Sequence, residues 1–261
     1  MKQLNNMKFI GIIPARYAST RFPGKPLALL NGKPIIQHVY ERVSKSLEKV
    51  VVATDDERIM QCVSSFGGLS VMTNPNHKSG TDRCDEAYRK IAEKFDVVIN
   101  IQGDEPFITN QQLSAIKNCF EAEDTQIATL VHPFGKVSYE VLSNPNSPKV
   151  VFDHYMNALY FSRSVIPYIR SEEFENWAQN HSFYKHIGLY AYRTEVLDEI
   201  TKLPQSILEK AESLEQLRWL ENGYKIKVAI ATEETIGIDT PEDLLKAEKY
   251  IQSIGKTETF K

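Results

Sequence analysis

Residues 12–26 decide the fold prediction, and they carry the sequence Ile12-Ile13-Pro14-Ala15-Arg16-Tyr17-Ala18-Ser19-Thr20-Arg21-Phe22-Pro23-Gly24-Lys25-Pro26. The apolar run Phe9 to Ile13 is typical of a buried parallel strand, and an amphipathic helix is predicted after the loop. Cations and backbone N–H groups at the carboxyl end of a first strand suit a polyanion. The loop contains three cations, two hydroxyl groups and a glycine: Arg16, Arg21, Lys25, Ser19, Thr20 and Gly24. From composition alone, a solvated basic loop is an equal alternative.

Two familiar phosphate-binding loops are excluded. The P-loop pattern G-x-x-x-x-G-K-[ST] is absent, since Lys25 is followed by Pro26. The dinucleotide pattern G-x-G-x-x-G is absent as well. The loop therefore predicts an anion site of another class.

Composition limits the class of protein further. The chain has 261 residues, ordinary hydrophobic content and a net charge of −3, which suits one large α/β domain and disfavours binding to nucleic acid. Three cysteines without a C-x-x-C pair predict free thiols in a reducing compartment. The N-terminus lacks a signal-peptide pattern, and no apolar run is long enough for a membrane span. We expect a soluble, cytoplasmic protein that does not contact membranes.

The order of predicted elements favours an α/β fold. Apolar strands at 50–53, 69–72, 97–101 and 127–131 alternate with amphipathic helices, which predicts a mostly parallel sheet flanked by helices. From about residue 133 to 192 this alternation is replaced by short strands and irregular stretches. We interpret that segment as an excursion from the sheet within a single domain spanning 1–261.

A carboxylate follows one of these strands directly. Val97-Val98-Ile99-Asn100-Ile101 leads into Gln102-Gly103-Asp104-Glu105-Pro106. Open α/β sheets bind ligands at the carboxyl ends of their strands, and Mg²⁺ prefers oxygen ligands with one or two carboxylates plus substrate phosphates. Asp104 is therefore the first metal candidate, although an aspartate in a turn beside glycine is an equal alternative on local grounds.

Several separated segments resemble one family. The loop I-P-A-R-x-x-S-x-R-x-P-G-K-P is similar to that of sugar nucleotidyltransferases that activate acidic sugars with CTP, and its Arg-Tyr-Ala-Ser-Thr-Arg form resembles the 3-deoxy-manno-octulosonate (KDO) cytidylyltransferases. The related CMP-sialate synthetases usually have a glycine-rich loop instead. The other matching segments, in family order, are Ser79–Arg83, Gln102–Pro106, Ala158–Arg163, His186–Tyr190, Leu214–Arg218 and Ile238–Asp243. The resemblance implies a Rossmann-like nucleotide-diphospho-sugar transferase fold with a mixed, mostly parallel sheet and a β-rich dimerisation arm.

The resemblance also implies residue roles. In the first loop, the CTP site would comprise Pro14, Ala15, Arg16, Ser19, Thr20, Arg21 and Lys25. Ser79, Gly80 and Thr81 would lie beside the base of CTP, although locally they are a plain helix cap. Asp104 and Asp239 would hold Mg²⁺, and with Arg16 and Lys25 they form the catalytic set. The sugar would contact Gln102, Arg163, Arg170, His186, Tyr190, Glu215 and Gln216. Simpler alternatives exist for four of these residues. Arg170 could be an ordinary surface residue and His186 a structural one. Glu215 and Gln216 could lie on the solvated face of a helix.

The reaction implied is Mg²⁺-dependent transfer of CMP from CTP to the anomeric C2 hydroxyl of KDO, with release of pyrophosphate. It would activate KDO for lipopolysaccharide synthesis, in a homodimer. No residue stands out as a general base, and Asp239 is the one candidate. The same chemistry on 8-amino-KDO or sialate, and a non-catalytic nucleotide-sugar binding protein, are the alternatives.

Overall fold

A computed structural model describes residues 6–233 and 236–258, with side chains up to residue 253. The strands are β1 (Phe9–Ala15), β2 (Leu29–Leu30), β3 (Lys33–Pro34), β4 (Lys49–Thr54), β5 (Ser70–Met72), β6 (Val97–Asn100), β7 (Ile127–Pro133), β8 (Lys149–Phe152), β9 (Ala158–Ser162), β10 (Tyr184–Arg193) and β11 (Ile226–Ile230). The helices are α1 (Ile35–Val43), α2 (Glu57–Ser65), α3 (Gly80–Lys90), α4 (Asn110–Asn118), α5 (Tyr139–Leu142), α6 (Trp177–Asn180), α7 (Thr194–Ile200), α8 (Ile207–Glu212), α9 (Gln216–Glu221) and α10 (Pro241–Glu258).

The described residues group into two compact units. The first unit contains residues 8–113 and 236–258, and the second contains residues 114–233. Residues 133–192, predicted to be an excursion from the sheet, lie wholly within the second unit. The prediction of a single domain stays a prediction.

The first unit is built on a parallel sheet with the strand order β6-β1-β4-β5. Its central strands are buried on both faces, which explains their continuous runs of branched apolar residues. Gly11 in β1 is required by close packing, since a Cβ there would lie 2.9 Å from methyl groups of Leu47 and Ile101. Helix α1 contributes one buried apolar face, composed of Ile35, Ile36, Val39 and Val43.

The chain returns to the first unit after residue 236. Ile238 and Ala247 are buried in a cluster with Leu30, Ile35 and Phe107. The Ile238 amide also donates to the carbonyl of Asp104 at 2.9 Å. This packing and this bond fix the backbone beside Asp239 against the loop that follows β6.

The second unit has a mixed sheet. Strand β7 pairs antiparallel with β10 and parallel with β11, and β8 pairs antiparallel with β9 and β10. Strand β10 contains an irregularity between Ile187 and Tyr190, where its register with β7 shifts. A separate apolar cluster forms around Leu142, Trp177, Ala178 and Phe183.

The predicted strands of both units are present, with ends that shift by a few residues. The sequence predicts a helix with Cys84, Tyr88, Ile91 and Phe95 on one face and another helix over 208–220, and both differ in the structure. Helix α3 ends at Lys90, so Ile91 and Phe95 lie beyond it. The helix predicted over 208–220 is broken into α8 and α9, because Ser213 takes a left-handed conformation with φ 50°. Of the helices in the described ranges, none has both the length and the apolarity that a bilayer span requires.

Candidate active site

The loop after β1 folds back on Tyr17. The Tyr17 carbonyl accepts hydrogen bonds from the amides of Ser19 (3.0 Å) and Gly24 (2.9 Å). Gly24 has φ +71°, and a Cβ at this position would lie 3.1 Å from the Tyr17 ring. Both the positive φ and the ring contact favour glycine here. A short 3₁₀ turn, Lys25–Leu27, follows directly and presents Lys25 at the end of the loop.

Helix α2 supports this loop from outside. The guanidinium of Arg58 lies over the Tyr17 ring, 3.4 Å from its centroid. Asp56 caps α2 and accepts two side-chain bonds from Arg58, at 2.9 and 2.6 Å. These bonds lower the pKa of Asp56, against a smaller opposing effect of burial. Arg58 is therefore held in place from α2 while it stacks on the loop.

Lys25 joins the two predicted metal carboxylates. Its Nζ donates to Asp104 Oδ2 at 2.5 Å and to Asp239 Oδ1 at 3.1 Å. Arg21 Nη2 donates to the same Asp239 oxygen at 3.1 Å. The fold thus brings Asp104 and Asp239 together across 135 positions of sequence, so their expected proximity is confirmed. Their role as metal ligands stays a prediction.

These charged groups open onto a pocket of about 240 Å³ within the first unit. Its lining includes most of the residues predicted to bind CTP and metal: Pro14, Ala15, Arg16, Ser19, Arg21, Lys25, Ser79, Gly80, Asp104 and Asp239. Gln102, predicted for the sugar, lines the same pocket. Thr20 and Thr81 are not among the lining residues, and Thr81 is buried in the first turn of α3.

The N-terminus of α3 forms one wall of the pocket. Ser79 caps the helix, with its Oγ accepting from the amide of Asp82 at 3.1 Å. Gly80 allows close approach of the wall to the first loop, since a Cβ there would lie 3.3 Å from Pro14. The amide groups and dipole at this end of the helix favour negative charge.

Five lining residues were not predicted from the sequence: Pro26, His77, Lys78, Arg83 and Gly103. Arg83 is buried and donates to Thr73 Oγ1 (2.7 Å) and Asp55 Oδ2 (3.0 Å), which gives it a structural role. A Cβ on Gly103 would lie 3.0 Å from the Pro14 carbonyl, so this glycine permits two loops to touch. The signal available in the sequence was the basic pair His77-Lys78 just before the helix cap.

His77 is held by Glu86. The His77 Nε2 bonds to Glu86 Oε2, which also accepts from the amide of Asn74, and Lys90 pairs with the other oxygen. Burial opposes the ionised form of Glu86, but the bonds from Lys90, Asn74 and His77 prevail and lower its pKa to about 2. A permanently ionised Glu86 thus fixes the imidazole in the pocket wall.

The remaining predicted sugar residues lie in the second unit. Arg163 donates to three main-chain carbonyls, those of Glu212 (2.6 Å), Pro145 (2.8 Å) and Ser213 (3.2 Å). Each of the three guanidinium nitrogens thus donates one hydrogen bond within the protein, without any ligand. Arg170 is exposed and has no hydrogen bond in the described contacts. Their predicted contact with a sugar carboxylate stays a prediction.

His186 and Tyr190 are packed together on β10. The His186 ring lies between Phe161 and Tyr190, with ring centroids 5.2 Å away in each case, and its Nε2 lies 3.0 Å from Thr129 Oγ1. Burial lowers the pKa of His186 to about 3, so the imidazole is neutral. Burial also raises the pKa of Tyr190 well above its usual range.

Four buried side-chain polar atoms of the second unit make no hydrogen bond of good geometry in the described contacts: His132 Nδ1, Tyr190 Oη, Gln216 Nε2 and Trp219 Nε1. Gln216 begins α9, immediately after the break at Ser213. Glu215 precedes it and accepts from Arg218 at 3.4 Å. A buried unpaired polar group costs free energy, and Tyr190 and Gln216 are the two of these four residues that the family resemblance assigns to the sugar.

The donor set of the first-unit pocket fits a hard divalent cation. Within the described ranges no group of three or more His, Cys, Asp or Glu side chains is arranged to hold a metal. The two carboxylates that share the Lys25 ammonium already bind one cationic group between them. Mg²⁺ takes one or two carboxylates together with substrate phosphates, and an adjacent cationic pocket suits those phosphates.

A parallel sheet with an anion pocket beside a carboxylate pair fits a nucleotidyltransferase. Residues 10–227 match the family described as "Cytidylyltransferase". A curated relative from Phocaeicola vulgatus, named 3-deoxy-manno-octulosonate cytidylyltransferase, is 66% identical over 94% of this chain and 98% of its own length. A relative of the same name from Porphyromonas gingivalis is 56% identical over 96% of this chain and 99% of its own.

Comparison with solved structures supports the same family. A structure of CMP:2-keto-3-deoxy-manno-octonic acid synthetase complexed with CTP is 42% identical, has a TM-score of 0.86, and covers 94% of this chain and 99% of that one. A structure of 4-diphosphocytidyl-2C-methyl-D-erythritol synthase from Anaerococcus prevotii is 13% identical and has a TM-score of 0.61. The match covers 97% of this chain and 99% of that one. At this identity it supports the fold alone. The chain belongs to the cytidylyltransferase family and, within it, to the 3-deoxy-manno-octulosonate cytidylyltransferases. The predicted family and fold class are confirmed.

Proposed function

We propose that this enzyme transfers CMP from CTP to the anomeric C2 hydroxyl of KDO and releases pyrophosphate. The observation that carries the proposal is the Lys25 ammonium bound by both Asp104 and Asp239 inside a cationic pocket. The names of the curated relatives and the CTP complex of the similar structure support the choice of substrates.

On the nucleotide side, the first-unit pocket would bind the triphosphate. Arg16, Arg21 and Lys25 would neutralise its charge, and the amides at the N-terminus of α3 would add partial positive charge. Ser79 and Gly80 lie on that wall and are proposed to contact the base. Most of the catalytic effect in phosphoryl transfer comes from such positioning and charge stabilisation.

Asp104 and Asp239 would hold Mg²⁺. When bound, the ion supplies charge neutralisation at the phosphates and lowers the pKa of a coordinated hydroxyl. Asp239 is also fixed through its backbone, because its amide donates to Asp243 Oδ2 at 3.4 Å and Thr240 caps the following helix. The backbone position of Asp239 therefore does not depend on Lys25.

The second-unit residues assigned to the sugar are proposed to contact its hydroxyl groups, and Gln102 lines the first-unit pocket. Gln216 Nε2 and Tyr190 Oη are buried polar atoms that a sugar hydroxyl would satisfy. Neutral His186 would serve as a hydrogen-bond partner and not as a charged ligand. Glu215 and the arginines Arg163 and Arg170 complete the proposed set.

We further propose that the enzyme acts in the cytoplasm as a homodimer and supplies CMP-KDO for lipopolysaccharide synthesis. An apolar surface in the second unit supports the dimer. A cavity of about 370 Å³ is lined by Val150, Phe152, Ile166, Pro167 and Phe183 among others, and Tyr168 and Phe174 are exposed aromatic residues nearby in sequence. Light scattering on the purified chain would test the dimer, and a monomeric mass would reject it.

The experiment that tests the reaction is pyrophosphate release from CTP and Mg²⁺, with KDO, 8-amino-KDO and sialate in parallel. Release with KDO is the expected result. Preference for the amino sugar would keep the chemistry and change the substrate. A folded protein that binds CTP but releases no pyrophosphate with any of the three sugars would favour a non-catalytic nucleotide-sugar binding protein.

A further inference from the structure

Lys25 satisfies both candidate metal carboxylates at once. Its Nζ lies 2.5 Å from Asp104 Oδ2 and 3.1 Å from Asp239 Oδ1, and its side chain is only 13% exposed. Arg21 adds a third bond, to the same oxygen of Asp239. Two cations of one loop thus neutralise two carboxylates that the proposed function assigns to Mg²⁺.

This arrangement sets up a direct competition. A divalent cation bound to Asp104 Oδ2 and Asp239 Oδ1 would compete with the Lys25 ammonium, because its double charge repels the ammonium more strongly than the single charge of Arg21 does. A pair of neighbouring carboxylates without any cation is costly for the same reason. Lysine suits a temporary occupant, since its ammonium is a point charge on a flexible four-carbon stem.

We propose that Lys25 is an exchangeable counter-ion. It holds Asp104 and Asp239 together in the absence of metal, gives up both carboxylates to a divalent cation, and then turns its ammonium to the triphosphate of the nucleotide. The inference rests on the proposed function, which supplies the metal and the nucleotide.

The exchange couples binding of the divalent cation to binding of the nucleotide. A divalent cation alone has to displace Lys25 and leave its charge without a partner in the pocket, so the metal alone binds weakly. A triphosphate gives the displaced ammonium a new partner, so each ligand strengthens the binding of the other. The same side chain would therefore account for ordered assembly of the site from two ligands.

The first test measures binding of Mn²⁺ alone, from the free-ion signal in electron paramagnetic resonance, without nucleotide. Lys25→Met is expected to bind Mn²⁺ at least about tenfold more tightly than the wild type. Arg16→Met is the matched control, since Arg16 lines the same pocket without a bond to either carboxylate in the described contacts. It is expected to change the affinity by less than about threefold.

A double variant locates the metal. Adding Asp104→Asn to Lys25→Met is expected to abolish the gain. If the gain survives, or if Lys25→Met and Arg16→Met behave alike, the exchange is wrong. Pyrophosphate release by the wild type is measured separately, so the proposed function can stand when the exchange fails.

The second test uses the unmodified enzyme and does not depend on a variant that folds. Amine acylation at Lys25 is followed by mass spectrometry of its peptide, with and without saturating Mg²⁺ and in the absence of nucleotide. Mg²⁺ is expected to raise the acylation rate of Lys25 severalfold relative to Lys78, which lines the same pocket and serves as the internal control. Equal changes at the two lysines, or protection of Lys25, would overturn the proposal.

Discussion

The guanidinium of Arg58 in α2 lies 3.4 Å from the centroid of the Tyr17 ring in the loop after β1. Tyr17 in turn packs on Gly24 and accepts the Gly24 amide through its carbonyl. A residue outside the pocket therefore supports the loop that carries Arg16, Arg21 and Lys25. Stacking of this kind at an exposed site contributes about 0.5–1 kcal/mol.

Replacing Arg58 tests this support. Arg58→Met is expected to raise the KM for CTP by about two- to fivefold, since about 0.5–1 kcal/mol of loop ordering is lost, with kcat nearly unchanged. Arg58→Lys, which keeps a cation over the ring, should recover part of the loss. Steady-state kinetics at saturating sugar would measure both variants. An unchanged KM for Arg58→Met would mean that the contact does not position the loop.

Two glycines with positive φ separate backbone strain from packing. Gly24 and Gly32 have φ of +71° and +80°, but a Cβ on Gly24 meets the Tyr17 ring and a Cβ on Gly32 meets nothing within 4 Å. Each Gly→Ala substitution is expected to reduce the free energy of unfolding by about 1 kcal/mol through strain. Gly24→Ala should lose more and should also raise the KM for CTP. Equal effects of the two substitutions on stability and KM would reject the packing argument.

Arg163 and Arg170 provide a contrast in the second unit. Arg163→Met removes one partly buried and two exposed bonds to main-chain carbonyls and is expected to lower the free energy of unfolding by about 1–2 kcal/mol. Arg170→Met is expected to stay within about 0.5 kcal/mol, since the side chain is exposed. Denaturant unfolding would measure both. A stable Arg163→Met protein with a raised KM for KDO would instead support the carboxylate contact inferred from the family resemblance.

His186 predicts a pH dependence of stability. Its pKa is about 3 in the folded state because it is buried, against about 6.5 in an unfolded chain. The unfolded state therefore binds a proton first as the pH falls, so this contribution is complete above about pH 6.5 and is lost at up to about 1.4 kcal/mol per pH unit below it.

Unfolding measured between pH 7 and pH 5 would check the prediction. His186→Gln should flatten the pH dependence in this window, whatever its effect on stability at pH 7. The control is His154→Gln, because His154 is exposed. If the two variants retained the same slope as the wild type, His186 would not be the titrating group.

Much of the fold follows from local patterns. The strands at Phe9–Ile13 and Val97–Ile101 are covered on both faces, so their sequences are apolar apart from Asn100. That pattern predicted buried strands. The pocket followed from the rule that ligands bind where parallel strands end, which placed Asp104 correctly. Asp239 came only from the resemblance to a family, since nothing local relates it to a residue 135 positions away.

The misses have a common physical cause, which is a contact distant in sequence. The break at Ser213 accompanies the bonds that Glu212 accepts from Ser162 Oγ (2.7 Å) and the Arg163 amide (2.9 Å). No local sequence pattern predicted the left-handed conformation of Ser213. Likewise, His77 enters the pocket wall because Glu86 holds it, and the bridge from Lys25 to two carboxylates depends on the return of the chain after residue 236.

The most direct measurement is turnover of Asp104→Asn compared with Glu105→Gln. The two residues are neighbours in the same loop, but Asp104 accepts from Lys25 inside the pocket and Glu105 is not among the pocket-lining residues. Pyrophosphate release from CTP and KDO with Mg²⁺ is expected to fall by about two orders of magnitude or more in Asp104→Asn, in a protein whose thermal unfolding is little changed. Glu105→Gln should retain most of its activity. Near wild-type turnover in Asp104→Asn would contradict the proposed active site.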